Sequence, residues 1–209
     1  MSRLLATGLA LALSVCLVRG EPLPGRGGGG ATPARSHPRI TVRIYDGTRV
    51  DHHTRNEAVN RARKLLTAAG LSSRFHDCTP GAATFAKVCE TSPAPGDLIV
   101  RMLRAPDGSI PTTRHVLGFA LIDATTRRGT MATVFTDKVA ALSTLARVPI
   151  ETVLGRTIAH EIGHLLLGSN EHGTMGLMRE AWTLDELASG KKENWAFTSA
   201  ELARLRGPA

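Results

Sequence analysis

His160, Glu161 and His164 stand in the order HExxH, inside the run HEIGHLLLGSNEH at residues 160–172. Histidines four residues apart lie one turn apart on the same side of a helix. At that spacing both imidazoles can reach one ion, and zinc takes nitrogen donors at about 2.0–2.1 Å. Glu161 flanks the pair, where it can serve as a base rather than a ligand. A zinc ion held there would acidify a water molecule, and Glu161 would take its proton as the water attacks a peptide carbonyl. An open catalytic site needs three protein ligands plus water, so the expected cofactor is one Zn2+ and a third donor must lie elsewhere.

The histidines share a side only if residues 150–167 form a helix. Pro149 suits the entry to its first turn, and Gly168 can end it in a left-handed conformation. On that helix Leu154, Ile158, Ile162, Leu165 and Leu166 fall on one apolar arc facing the core, with His160 and His164 opposite.

The stretch resembles the metzincin metalloproteases, whose long consensus is HExxHxxGxxH followed by a methionine turn. It departs from that consensus: the pattern here is HExxHxxxGxxxH, with Gly168 four residues and His172 eight residues after His164. The resemblance implies His172 as third ligand and Met178, in the GLM of residues 176–178, as the methionine-turn floor beneath the metal. Glu180 is the competing donor, because other zinc peptidases supply a carboxylate from this distal side. The same HEIGHLLLG…H…GLMR arrangement resembles small secreted bacterial metalloproteases, over about residues 117–182. It implies a metzincin-like α+β fold: a twisted mixed sheet on a backing helix and the HExxH helix, then a small helical C-terminal part. It also implies a sheet edge, from residues 117–122 or 130–136, that pairs with an extended peptide or protein substrate. Some metzincins place a tyrosine after the methionine turn. Arg179 holds that place here, and Tyr45, the only tyrosine, is far off in sequence.

Other elements must carry this site. Ile40, Val42 and Ile44 alternate with polar neighbours as in a half-buried strand. A helix is expected over residues 56–69, strands over 98–103, 117–122 and 130–136, and a helix over 137–147. Thr198 and Glu201 have capping-box spacing for a final helix. Mixed strands with a helix-rich second half read as α+β.

Residues 1–20 combine Arg3, an apolar run and a small-residue exit, and read as a signal peptide. Residues 21–38 form a Pro/Gly/Arg leader, and 39–209 a single catalytic domain. The destination is therefore secreted or periplasmic, with no membrane span in the mature form. Its removal takes two arginines and no acid, so formal charge falls from +8 to +6 over the remaining 189 residues. The basic residues are scattered, and five Phe, two Trp and one Tyr offer little for base stacking, so nucleic-acid binding is not expected. A monomer is expected. Cys78 and Cys89 remain as one pair with ten residues between them, and in an oxidising compartment they form a disulfide. Closing that loop contributes roughly 3 kcal/mol in the chain-entropy picture.

The other histidines offer no comparable spacing: His37 is in the leader, His52 and His53 read as a turn, and His76 and His115 as surface residues. Two alternatives from other classes stand beside the peptidase. One is a non-catalytic secreted binding protein with a zinc site, which the intact Glu161 argues against. The other is a polyanion-binding envelope protein, for which only the net charge speaks.

Overall fold

Five strands build one sheet, and in its central strands alternating residues with one buried side explain why they formed. The computed structural model describes residues 39–82, 85–106 and 116–206. The expected signal peptide, the whole leader with His37, and His115 lie outside these described residues. The strands are β1 (Arg39–Asp46), β2 (Ser72–Asp77), β3 (Leu98–Leu103), β4 (Gly118–Asp123) and β5 (Arg128–Phe135), in the order β2-β1-β3-β5-β4. All neighbours run parallel except β4, which is antiparallel to β5 and forms one edge. Val42, Ile44, Leu98, Val100, Met102, Ala132 and Val134 point to one face and are buried.

Two long helices cover that face. α1 (His52–Ala68) brings Ala58, Ala62 and Leu66 to the core, and α3 (Ile150–Leu167) brings Leu154, Ile158 and Ile162. They pack closely at Gly155, where a Cβ would stand 2.6 Å from the Ala58 carbonyl oxygen. α2 (Thr136–Ala146) links β5 to α3, ending at Arg147 in a left-handed conformation (φ 54°). α4 (Leu184–Ala188) and α5 (Ser199–Arg206) follow the site. The class is α+β, with a mostly parallel five-stranded sheet. Among the described residues no helix is long and apolar enough to cross a membrane.

The structure departs from the expected elements at several points. β2 has no apolar alternation because it is the other edge, with every residue at least partly exposed. α1 begins four residues early, at His52, where Asp51 caps it by accepting from the Thr54 N–H at 3.0 Å. His52 and His53 therefore lie in its first turn rather than in a separate turn. α4 is a five-residue helix held by a Thr183/Glu186 capping box, too short to leave a periodic trace. α3 is not two-faced: it is buried all round from Val153 to Leu165, bar a half-buried Arg156, because the segment after residue 176 covers its histidine side.

On the far face of β1, Arg43 is 1% exposed. It donates to Asp97 through Nε (3.0 Å) and an Nη (2.7 Å), and to the carbonyls of Val88, Thr91 and Ser92. Cys78 and Cys89 are joined in a disulfide at the root of the same loop. One guanidinium thus pins the loop across the sheet while the disulfide closes it. Arg43→Met should cost about 3–5 kcal/mol, the range for stranding one partner of a buried ion pair. Chemical denaturation of the oxidised protein checks this, and a loss below about 1 kcal/mol would assign the loop's hold to the disulfide alone.

Candidate metal centre

The last turns of α3 carry His160, Glu161 and His164, and Gly168 ends the helix at φ 59°, ψ 37°. A side chain there would collide with the carbonyl oxygen of Arg127, so both the conformation and the space require glycine. The chain then folds back. The Ser169 carbonyl accepts from His164 Nδ1 at 2.8 Å, and Ser169 Oγ accepts from the Glu171 N–H at 3.2 Å. The Gly173 N–H donates to the Met178 carbonyl at 2.8 Å, closing the loop that carries His172.

These contacts aim three imidazoles at one point. His160 Nδ1 donates to the Leu177 carbonyl at 2.8 Å. A carbonyl oxygen only accepts, so the ring proton of His160 and of His164 is on Nδ1 and each Nε2 carries a bare lone pair. Nε2 of His164 stands 3.0 Å from that of His160 and 3.2 Å from that of His172. All three candidate ligand atoms lie within 4.8 Å of one another. Lone pairs of His160 and His164 facing each other at such range repel, and no proton is left between them to share. A cation between them removes the conflict. Donors around a tetrahedral zinc at about 2.0–2.1 Å stand roughly 3.3 Å apart, close to the spacing found. The residues present fit zinc, and the carbonyl partners of Nδ1 are those expected behind metal-bound histidines.

Burial, with the nearby His164, pushes His160 down to about 3 despite its bond to Leu177. Burial likewise lowers His164 and His172, the latter opposed by the charge of Glu180. The rings are therefore neutral at neutral pH, the form that binds a metal. Burial pushes the Glu161 carboxyl up to about 8, and a divalent cation beside it would pull the other way. Its Oε2 is buried with no hydrogen-bond partner.

Sheet and loops supply the walls. A Cβ at Gly118 on β4 would stand 2.7 Å from Glu161 Oε1 and 2.6 Å from the Thr133 carbonyl oxygen. The carboxylate fits under the edge strand only because position 118 has no side chain. Below the histidines, Met178 is 1% exposed and its sulfur covers Gly163, where any side chain would collide with it. Gly176 makes that turn at φ 73°. Trp182 sets its ring edge-on to His160 at 5.6 Å and to Trp195 at 5.3 Å between centroids. The centre opens into a cleft of about 500 Å³ bounded by Leu117, Gly118, Leu142, Thr157 and Trp182.

The structure thus brings His160, Glu161, His164 and His172 together and sets Met178 beneath them. Glu180 lines the same cleft without entering the nitrogen cluster. Arg179 also lines it, but its Nε donates to the Thr174 carbonyl at 3.0 Å and its guanidinium pairs with Glu186. Tyr45 alternates with the buried Ile44 and so lies on the far face of the sheet. Sequence reasoning missed Gly118, Gly163 and Trp182, and the Leu177 and Ser169 carbonyls. A glycine inside a strand pattern marks a close approach, and that was the available signal for Gly118.

No protein-family profile and no curated protein matches the sequence. Among solved structures the chain is similar to the archaemetzincin of Methanopyrus kandleri, at 18% identity over 84% of this chain and 97% of that one, with a TM-score of 0.47. It is also similar to metalloproteinase-II of Bacteroides fragilis, at 12% identity over 84% of this chain, with a TM-score of 0.47. The chain spans about half, 54%, of that second protein. Both are loose likenesses of shape.

The competing third donors separate in a metal titration. His172→Ala should weaken zinc binding by more than about 100-fold, beyond what loss of an outer partner does, while Glu180→Ala leaves zinc content near the unmodified level. Elemental analysis with competitive chelation measures both. Full zinc in a folded His172→Ala protein, with loss from Glu180→Ala, would transfer the role to the carboxylate.

Proposed function

We propose that the protein is an exported zinc peptidase that hydrolyses peptide bonds. The observation that carries this reading is the buried, unpartnered Glu161 carboxylate beside three converging imidazoles. A purely structural zinc site has four protein ligands and no use for an idle carboxylate in its cleft. His160, His164 and His172 would hold the ion, with Leu177 and Ser169 fixing the tautomers of the first two. Zinc in such a site supplies Lewis acidity and lowers the pKa of water. Glu161 takes the proton of the attacking water and returns it to the leaving amine.

The edge strand supports an extended substrate. The Leu117 carbonyl accepts from the Phe135 N–H at 2.8 Å, and Gly118 faces Val134. Hydrogen bonding alternates along an antiparallel pair, so the N–H and C=O of Gly118 and Ala120 turn to the free edge. Both residues line the cleft, which sets these groups beside the metal centre for strand addition. Removal of residues 1–20 and export belong to the same proposal, and the Cys78–Cys89 disulfide supports an oxidising destination.

Glu161→Gln tests the chemistry. The variant should keep its zinc, because Glu161 is no ligand, and lose about 10²- to 10⁴-fold in turnover of a mixed peptide library. Chelation should abolish cleavage by the unmodified protein, and zinc should restore it. Undiminished cleavage by zinc-loaded Glu161→Gln would move the base elsewhere.

A further inference from the structure

The edge strand carries a second feature that the chemistry leaves unused. Phe119 and Leu121 are 39% and 48% exposed, alternating with the buried Ala120. They therefore project on the side of the sheet away from α3. Phe119 is backed by Phe135, with ring centroids 5.9 Å apart, and Leu121 lies opposite Met131 on β5. Natural edges are usually guarded by charge, proline or an irregularity. Here residues 118–121 read GFAL, and the guards come only afterwards, with a register shift between Leu121 and Ile122 and then Asp123. Among the described residues an uncharged stretch is thus left open for two outward rungs, those of Gly118 and Ala120, next to the cleft.

We propose that Phe119 and Leu121 form a specificity shelf for the peptide bound along β4, selecting large apolar residues at alternate substrate positions. The proposal rests on the peptidase reading of the site. A peptide extended along this edge sends alternate side chains to opposite sides of the sheet. One set enters the metal cleft, where Gly118 leaves room. The other set passes to the far side and lies next to Phe119 and Leu121, within the roughly 4.5–5.5 Å of directly opposed cross-strand neighbours. The shelf is continuous with the cleft, because Val116, Leu117 and Phe119 line its mouth and Val116 is itself 43% exposed. The preferred substrate is therefore an extended segment with apolar residues two apart on one side of the scissile bond.

The test is a scan of zinc-loaded protein against a peptide series in which each position is in turn Leu or Ser. The expected profile has two Leu-preferring positions, two residues apart. Phe119→Ser should flatten one and Leu121→Ser the other, each by about three- to tenfold in kcat/KM for the Leu peptide. Zinc content should be unchanged, and Phe119→Leu should keep most of the preference. Binding of the same peptides to zinc-loaded Glu161→Gln provides a second readout. Cleavage with no such period, or a profile the two variants leave intact, overturns the shelf and leaves the peptidase standing. Periodic binding without any cleavage by the unmodified protein overturns the peptidase reading and supports the shelf as a peptide-docking site. Neither binding nor cleavage of any peptide overturns both.

Discussion

Two imidazole nitrogens without a proton between them stand 3.0 Å apart inside this protein, and much of the surrounding structure serves to keep them there. Left to itself, such a pair would separate or admit a proton. Neither route is open. The Nδ1 protons are committed to the Leu177 and Ser169 carbonyls, and burial opposes a second charge on either ring. A cation held between the rings would relieve the stress and turn a repulsive arrangement into a binding site. Rigidity follows as a requirement. α3 is buried almost all round, Gly155 lets α1 approach it closely, and Met178 fills the space over Gly163. A looser helix would let the histidines drift apart and lower the affinity that their forced approach creates.

The sheet takes part through its edge strand. Four strands, β2-β1-β3-β5, are parallel, and the inward side chains of all but the outer β2 are buried scaffold. β4 alone reverses direction and brings Gly118 over the Glu161 carboxylate. The acid is buried there, which raises its proton affinity, and its Oε2 has no partner in the protein. The same reversal exposes the hydrogen-bonding edge at Gly118 and Ala120. The Glu161 carboxylate and the outward-facing backbone groups of the edge are thus positioned by one short strand, and a change in its register would disturb both.

Much of this was legible in the sequence, for identifiable reasons. Residues 150–167 announced a helix through long apolar periodicity and a terminal glycine, and the observed bounds are Ile150–Leu167. β1 and β3 showed themselves by alternation or a buried apolar run, and Thr198 with Glu201 by capping-box spacing, which both hydrogen bonds realise. β2 was invisible because SSRFHD buries almost nothing, its parallel pairing with β1 being a long-range fact. The burial of α3 on nearly all sides from Val153 to Leu165 was missed for a related reason. Periodicity reports which residues prefer the core, but His160 and Glu161 are polar residues buried by partners elsewhere in the chain. Backbone carbonyls as histidine partners leave no trace in residue types at all.

The loop between His164 and His172 is more than a tether. Gly168 turns the chain directly after Leu167 and leaves Ser169 one residue beyond the turn. Ser169 then supplies the loop with bonds of its own: its carbonyl to His164, its hydroxyl from the Glu171 N–H. At the far end Gly173 is tied to Met178 and bridges to Arg179, so the stretch of chain bearing His172 is anchored to the turn after Gly176 rather than to the helix. The third imidazole is therefore positioned by the floor of the site. Length between two donors matters less than whether each end of the loop is fastened, and here both are.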